Sequence, residues 1–147
     1  MNRRSVSRAA AGLVLTALTF APPRIGQAAD DTVNMRDLYN KDLSFSDYAK
    51  EREGQRIAVT GFMAPPLKAE SSFFVLTKRP LAVCPFCDTE ADWPDDILAI
   101  YTKRTLNVVP FNVKIRTVGT LQLGTAKDPD TGFISRVRIV DAVYERD

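Results

Sequence analysis

The feature that most constrains this chain is the stretch from Phe111 to Leu123, where Val113, Ile115, Thr117, Gly119, Leu121 and Leu123 share one parity. A repeat of two belongs to an extended strand with one buried face, not to a helix of period 3.6. Gly119 in mid-strand predicts a bend or bulge, because it has no side chain to pack and accepts irregular backbone. Asp128-Pro129-Asp130-Thr131-Gly132 then reads as a turn, after which Phe133 to Tyr144 returns as the last strand.

Three shorter runs precede this pair. Arg56 to Met63 alternates and is ended by Pro65-Pro66; Phe73 to Thr77 is closed by Pro80; Asp96 to Tyr101 has its apolar residues run together, as in a strand buried on both faces. Upstream, Ser44-Phe45-Ser46-Asp47-Tyr48 leads into Ala49 to Glu53 and stops at Gly54, which predicts a short helix with a Ser cap and Phe45, Tyr48 and Ala49 toward the core. Connections are too short for a parallel crossover at every step. The expected fold is mainly β: a small five-stranded OB-like barrel with a short N-terminal helix and a Cys-containing loop, with a small β-sandwich as the alternative.

The N-terminus reads as a secretory signal. Met1-Asn2-Arg3-Arg4 is basic, Ala9 to Ala21 is apolar, and Gly26-Gln27-Ala28-Ala29 offers small residues for cleavage. The apolar run is short for a permanent bilayer span, and no second run of that length follows. Arg3-Arg4-Ser5-Val6 and Arg24 resemble a twin-arginine signal, although Ser7 stands where that pattern has an apolar residue, so both export routes stay open. The expected organisation is a signal peptide over 1–29, a leader over 30–43 (mobile, or a short edge element) and one domain over 44–147, located in the periplasm or otherwise exported. Four arginines lie in the cleaved segment. The rest of the chain holds 16 Lys and Arg against 18 Asp and Glu, a net charge of −2. Such a balance argues against a nucleic-acid partner. No histidine occurs anywhere in the sequence, which excludes imidazole-based triads, general bases and zinc ligands.

Cys84-Pro85-Phe86-Cys87 uses every cysteine of the chain. This spacing serves a redox disulfide, half of a thiolate metal site, or a disulfide that shapes a loop in an oxidising compartment. For redox chemistry Cys84 would attack and Cys87 resolve. The residues after Cys87 do not suit thioredoxin's long helix, however: Asp88, Glu90, Asp92, Asp95 and Asp96 crowd the segment and Pro94 interrupts it, and carboxylates raise a thiol's pKa. For metal binding, Cys84 and Cys87 supply half a tetrahedral set, and Asp88, Glu90 and Asp92, or a second copy's Cys pair, are the candidates to complete it. Zinc or another soft divalent metal is the first ligand to test, and a domain with no cofactor is an equal expectation.

Three further features each have two readings. Asp128 to Gly132 has oxygen-rich spacing suggestive of calcium, yet lacks the distal glutamate of an EF-hand loop and suits a hairpin turn. Phe62, Met63, Phe73 and Phe74 suit either an exposed recognition surface or, given the acidic balance, the core. Trp93, beside Pro94 and carboxylates, is the candidate partner-binding residue, with packing of the loop onto the barrel as the other reading.

In their order along the chain, Thr60-Gly61-Phe62-Met63, Phe73-Phe74-Val75-Leu76, Cys84-Pro85-Phe86-Cys87 and Val118-Gly119-Thr120-Leu121-Gln122-Leu123-Gly124 with the closing strand resemble a family of small exported bacterial proteins of unknown function. The likeness covers nearly the whole domain. It implies an OB-like barrel associated with exported or transporter-linked metal handling, and no catalytic reaction. The expected role is therefore a periplasmic binding or accessory protein with an exported or membrane protein partner, more a binder than an enzyme. A thiol–disulfide protein using Cys84 and Cys87, and a structural interaction module with a loop disulfide, are the alternatives.

Overall fold

A computed structural model describes residues 32–68, 70–83 and 93–147. Among them the chain is mainly β, with six strands in one sheet and one short α-helix: β1 (Thr32–Val33), α1 (Asp47–Arg52), β2 (Arg56–Met63), β3 (Phe73–Thr77), β4 (Ile97–Thr102), β5 (Lys114–Lys127) and β6 (Ile134–Arg146). β2 pairs antiparallel with β3, and β3 with β4. β4 then runs parallel to β6, β6 antiparallel to β5, and β5 antiparallel to β2, so the hydrogen bonding closes into a ring.

The count corrects the expectation of five strands. The sixth, β1, lies in the stretch read from sequence as a mobile leader or a short edge element, and it adds parallel to β2 through Thr32↔Ala58 and Val33↔Val59. A 3-10 turn over Met35–Leu38 follows it, and Val33, Met35, Leu38 and Tyr39 are all buried in the core. Their scattered spacing carries no strand or helix period, which is why sequence periodicity does not reveal them. Met35 reaches across β2 because Gly61 has no side chain: a Cβ there would sit 2.8 Å from Met35 Cε and 2.7 Å from the Thr77 carbonyl oxygen.

Residues opposite one another in a ladder share a face. The register from Ile57↔Gly119 and Val59↔Thr117 through Leu121↔Ile139 and Ile139↔Ile100 to Ile100↔Phe74 and Leu98↔Leu76 therefore collects the inward set of the ring. Ile57, Val59, Phe74, Leu76, Leu98, Ile100, Leu121 and Ile139 are all essentially inaccessible to solvent. Burial of each such side chain contributes roughly 1.5–3 kcal/mol. The opposite face of β3 and β4 is also buried, at Phe73, Val75, Ile97 and Ala99. This double burial is what the unbroken apolar run at 97–100 requires.

Helix α1 begins at Ser46, whose hydroxyl accepts from the Ala49 N–H at 3.1 Å and donates to the Asp37 carbonyl at 2.6 Å, tying the helix start to the 3-10 turn. Gly54, at φ 77°, ends the turn beyond it. The long strand starts later than the sequence suggests. Val113 N–H donates to the Pro110 carbonyl in a turn, so pairing begins only at Lys114 and continues to Lys127.

The ladder shifts at Gly119, between the pairs Val118↔Val143 and Thr120↔Val140. The extra residue sits on β6, where Asp141 adopts φ 50°, and β4's pairing with β6 shifts at the same place. Gly119 permits the close approach, since a Cβ there would meet Ile139 Cγ2 at 2.4 Å. A bulge of this kind bends its strand and re-aims the residues beyond it. Here β4 pairs with β6 last at Thr102↔Ala142, and among the described residues β6 continues to Arg146 beside β5 alone.

Candidate functional site

Cys84, Cys87, Asp88, Glu90 and Asp92, the residues proposed for redox or metal chemistry, lie outside the described residues. The described chain resumes at Trp93, at the end of that loop. Trp93 is 8% exposed. Its ring meets Phe133 edge-on at 5.9 Å, Phe133 packs on Phe73 at 5.2 Å, and Phe73 packs on its cross-strand neighbour Tyr101 at 5.0 Å. These aromatics form a layer over the outward face of β3 and β4. The Trp93 Nε1–H donates to the Tyr39 hydroxyl at 2.6 Å, which joins the loop end to the N-terminal stretch. Burial pushes the Tyr39 phenol up to about 12, against the lowering effect of the Trp93 hydrogen bond.

Two of the five carboxylates read as crowding the cysteines are matched by guanidinium groups. Arg36 Nε lies 3.4 Å from Asp95 Oδ2, and Arg79 lies 3.7 Å from Asp96 Oδ2. Partners 59 and 17 positions away are invisible to a local reading of the segment. Among the described residues no group of three or more His, Cys, Asp or Glu is placed to hold a metal ion.

The Asp128 loop is a hairpin turn. Asp128 Oδ1 accepts from the Asp130 N–H, the Thr131 N–H and the Thr131 hydroxyl, at 3.1, 2.7 and 2.7 Å. Burial opposes the charged form, but these hydrogen bonds outweigh it and hold the carboxyl below its ordinary value. Nearby, burial first and the Asp128 charge second push Tyr101 up to about 12. Of the four apolar residues weighed as a recognition surface, Met63, Phe73 and Phe74 are buried, Met63 and Phe74 within the ring and Phe73 beneath Phe133, and Phe62 is partly buried.

A cavity not anticipated from sequence opens where β6 parts from β4. It is an open groove of about 810 Å³, with one wall formed by the segment after β4 and the other by Asp141 through Arg146. That size falls within the range of roughly 300–1,000 Å³ typical of ligand sites. Tyr144 spans its core side: the ring packs on Phe74 at 5.4 Å, while the hydroxyl accepts from the Asn107 N–H and donates to the Asn107 carbonyl, both at 2.9 Å. Val108 and Val143 stand exposed on opposite walls, and Arg56, Lys103, Arg104 and Arg146 contribute four cations against Asp141 and Glu145. Lys103 pairs with Asp141 at 3.3 Å. No local sequence pattern marks this groove, because its walls come from segments far apart in the chain.

No helix among the described residues is long and apolar enough to cross a membrane. In comparisons with known proteins, no family model matches the chain and no curated protein matches it significantly. Among solved structures it is similar to a DUF3299 family protein from Pseudomonas aeruginosa PAO1, with 13% sequence identity and a TM-score of 0.49 over 71% of this chain and 66% of that one. The chain thus spans just under two thirds of that protein's length.

Proposed function

We propose that this protein is an exported binding or accessory domain, in which an OB-like barrel serves as a rigid scaffold for a groove that holds a partner or ligand. The observation that carries the reading is the groove beside β6, where exposed valines and several cations converge on an open cavity. Soluble domains leave such surfaces uncovered chiefly where something binds. The OB-like assignment is supported by the order of the ring, β2-β3-β4-β6-β5 and back to β2, with its single parallel pairing between β4 and β6. Export is supported by the basic, apolar and small-residue succession over residues 1–29.

A photo-crosslinking residue placed at Val143, and at Ile134 as an exposed control elsewhere on β6, tests the reading in living cells. A discrete adduct from Val143 and none from Ile134, on a chain that starts after Ala29 in the exported fraction, is the expected result. Silence at both positions would sink the binding role.

A thiol–disulfide role for Cys84 and Cys87 is the second reading. It gains from the pairing of Asp95 and Asp96 with Arg36 and Arg79, which removes two unmatched negative charges from the cysteine loop's end. Zinc held by Cys84, Cys87 and the acids Asp88, Glu90 and Asp92 competes with it. The native mass of the exported protein, prepared without chelator or reductant, separates them: a metal adduct favours zinc, and a mass two hydrogens light favours the disulfide.

A further inference from the structure

Three properties of the groove narrow what it holds. The first is its wall: six consecutive residues, Asp141 to Arg146, line it. A strand seen face-on presents alternate residues, so a continuous run means that β6 meets the groove edge-on. Asp147 N–H donates to the Lys114 carbonyl. By the alternation of an antiparallel ladder, the backbone groups of Tyr144 and Arg146 therefore point away from β5, into the groove. Past Thr102↔Ala142, no strand among the described residues pairs with that edge.

The second property is charge. Lys103 is matched by Asp141, and Glu145 stands opposite Arg116 in the β5–β6 ladder. Arg56, Arg104 and Arg146 form no ion pair among the described residues, Arg104 and Arg146 are exposed, and Arg56 donates to the Asp141 carbonyl at 3.5 Å. The third is the apolar pair Val108 and Val143, 65% and 62% exposed on facing walls.

We propose, building on the binding role above, that the groove takes an extended acidic segment of a partner protein, added as a strand to the free edge of β6. The partner's main chain would meet the outward backbone groups of Tyr144 and Arg146. Its aliphatic side chains would cover Val108 and Val143, and its carboxylates would reach Arg56, Arg104 and Arg146. Main-chain pairing supplies affinity in strand addition, and alternate side chains supply selectivity. The site begins just past the bulge at Asp141, where β4 runs out: its last pair with β6 is Thr102↔Ala142, and beyond it the end of β6 has no neighbouring strand on that side among the described residues.

The test uses the exported protein and a fluorescent ten-residue peptide of alternating Glu and Val, read by anisotropy. Three comparisons accompany it: the Lys-Val counterpart, the Glu-Val peptide with alternate amides N-methylated, and the double variant Arg104→Glu/Arg146→Glu, with Lys78→Glu as a charge control. The expected result is binding of the Glu-Val peptide at least tenfold tighter than of the Lys-Val one. Methylation and the double substitution should each weaken it at least tenfold, with Lys78→Glu unchanged and every variant melting cooperatively. Equal binding of both peptides, indifference to methylation, or no binding would overturn the proposal. So would binding, at Arg104 and Arg146, of oligothymidylate or phosphatidylglycerol vesicles in place of the peptide. If the peptide fails while Val143 still cross-links to a discrete species, the binding role stands and the strand-addition proposal alone falls; if both fail, both fall.

Discussion

Asp128 shows how much one side chain can hold at a turn. A single carboxylate oxygen satisfies two backbone N–H groups and a hydroxyl. Hydrogen bonds to a charged group contribute about 1.5–3 kcal/mol, and Asp128→Ala should lower stability by about that amount in urea at pH 7. Because the native carboxyl is held below its ordinary value, this contribution is present above the unfolded pKa and is lost as pH falls through the folded one. The gap between wild type and variant should therefore narrow from pH 7 to pH 2, and a constant gap would contradict the assignment. Tyr39 has the opposite sign. Its phenol, pushed up to about 12, must stay protonated in the fold, so its contribution is intact below about pH 10 and falls as pH rises toward 12. Tyr39→Phe should be less stable by about 1 kcal/mol at pH 9 through loss of the Trp93 hydrogen bond, yet show a shallower decline between pH 9 and pH 11.

At the scale of elements, the bulge in β6 lies just before the point where β4 ends and the groove begins. Asp141 adopts a positive φ, which a β-branched residue accepts poorly and glycine accepts freely. Asp141→Val should cost about 1–3 kcal/mol, whereas Asp141→Gly should stay within about 1 kcal/mol of wild type, both read from urea midpoints at constant m-value. Equal losses would mean that the Lys103 ion pair, rather than the backbone, is what matters there. From sequence, Gly119 correctly marks the level of the irregularity. It does not tell which strand carries the extra residue, because that depends on two ladders meeting at one place.

For the whole molecule, the ring draws in the N-terminal stretch as part of its core. Leu38 is fully buried although it belongs to no strand of the ring. If the stretch unfolds with the rest, Leu38→Ala should lower global stability by about 2–5 kcal/mol in a single transition. A separate low-temperature transition, or a loss below about 0.5 kcal/mol, would mean that this stretch is not part of the cooperative unit. The parallel contact of β4 with β6 lets β5 return to β2 and close the ring, which among the described residues leaves only short edges exposed.

Local chemistry alone determined the strands that pair over long distances. Alternation marked β2 and β5, an unbroken apolar run marked β4, a Ser and a Gly bracketed α1, and Asp128 with Gly132 made the turn, each because the backbone's period and preferred angles act over a few residues. Tertiary structure decided the rest. β1 gains its hydrogen bonds from β2, Tyr39 is matched to Trp93 across 54 residues, and the Asp95 and Asp96 carboxylates find cations outside their own segment. The groove opens where β4 stops at Thr102 while β6 runs on to Arg146. Those relations depend on register and closure of the ring, which are set by the summed packing of distant residues and by no local pattern.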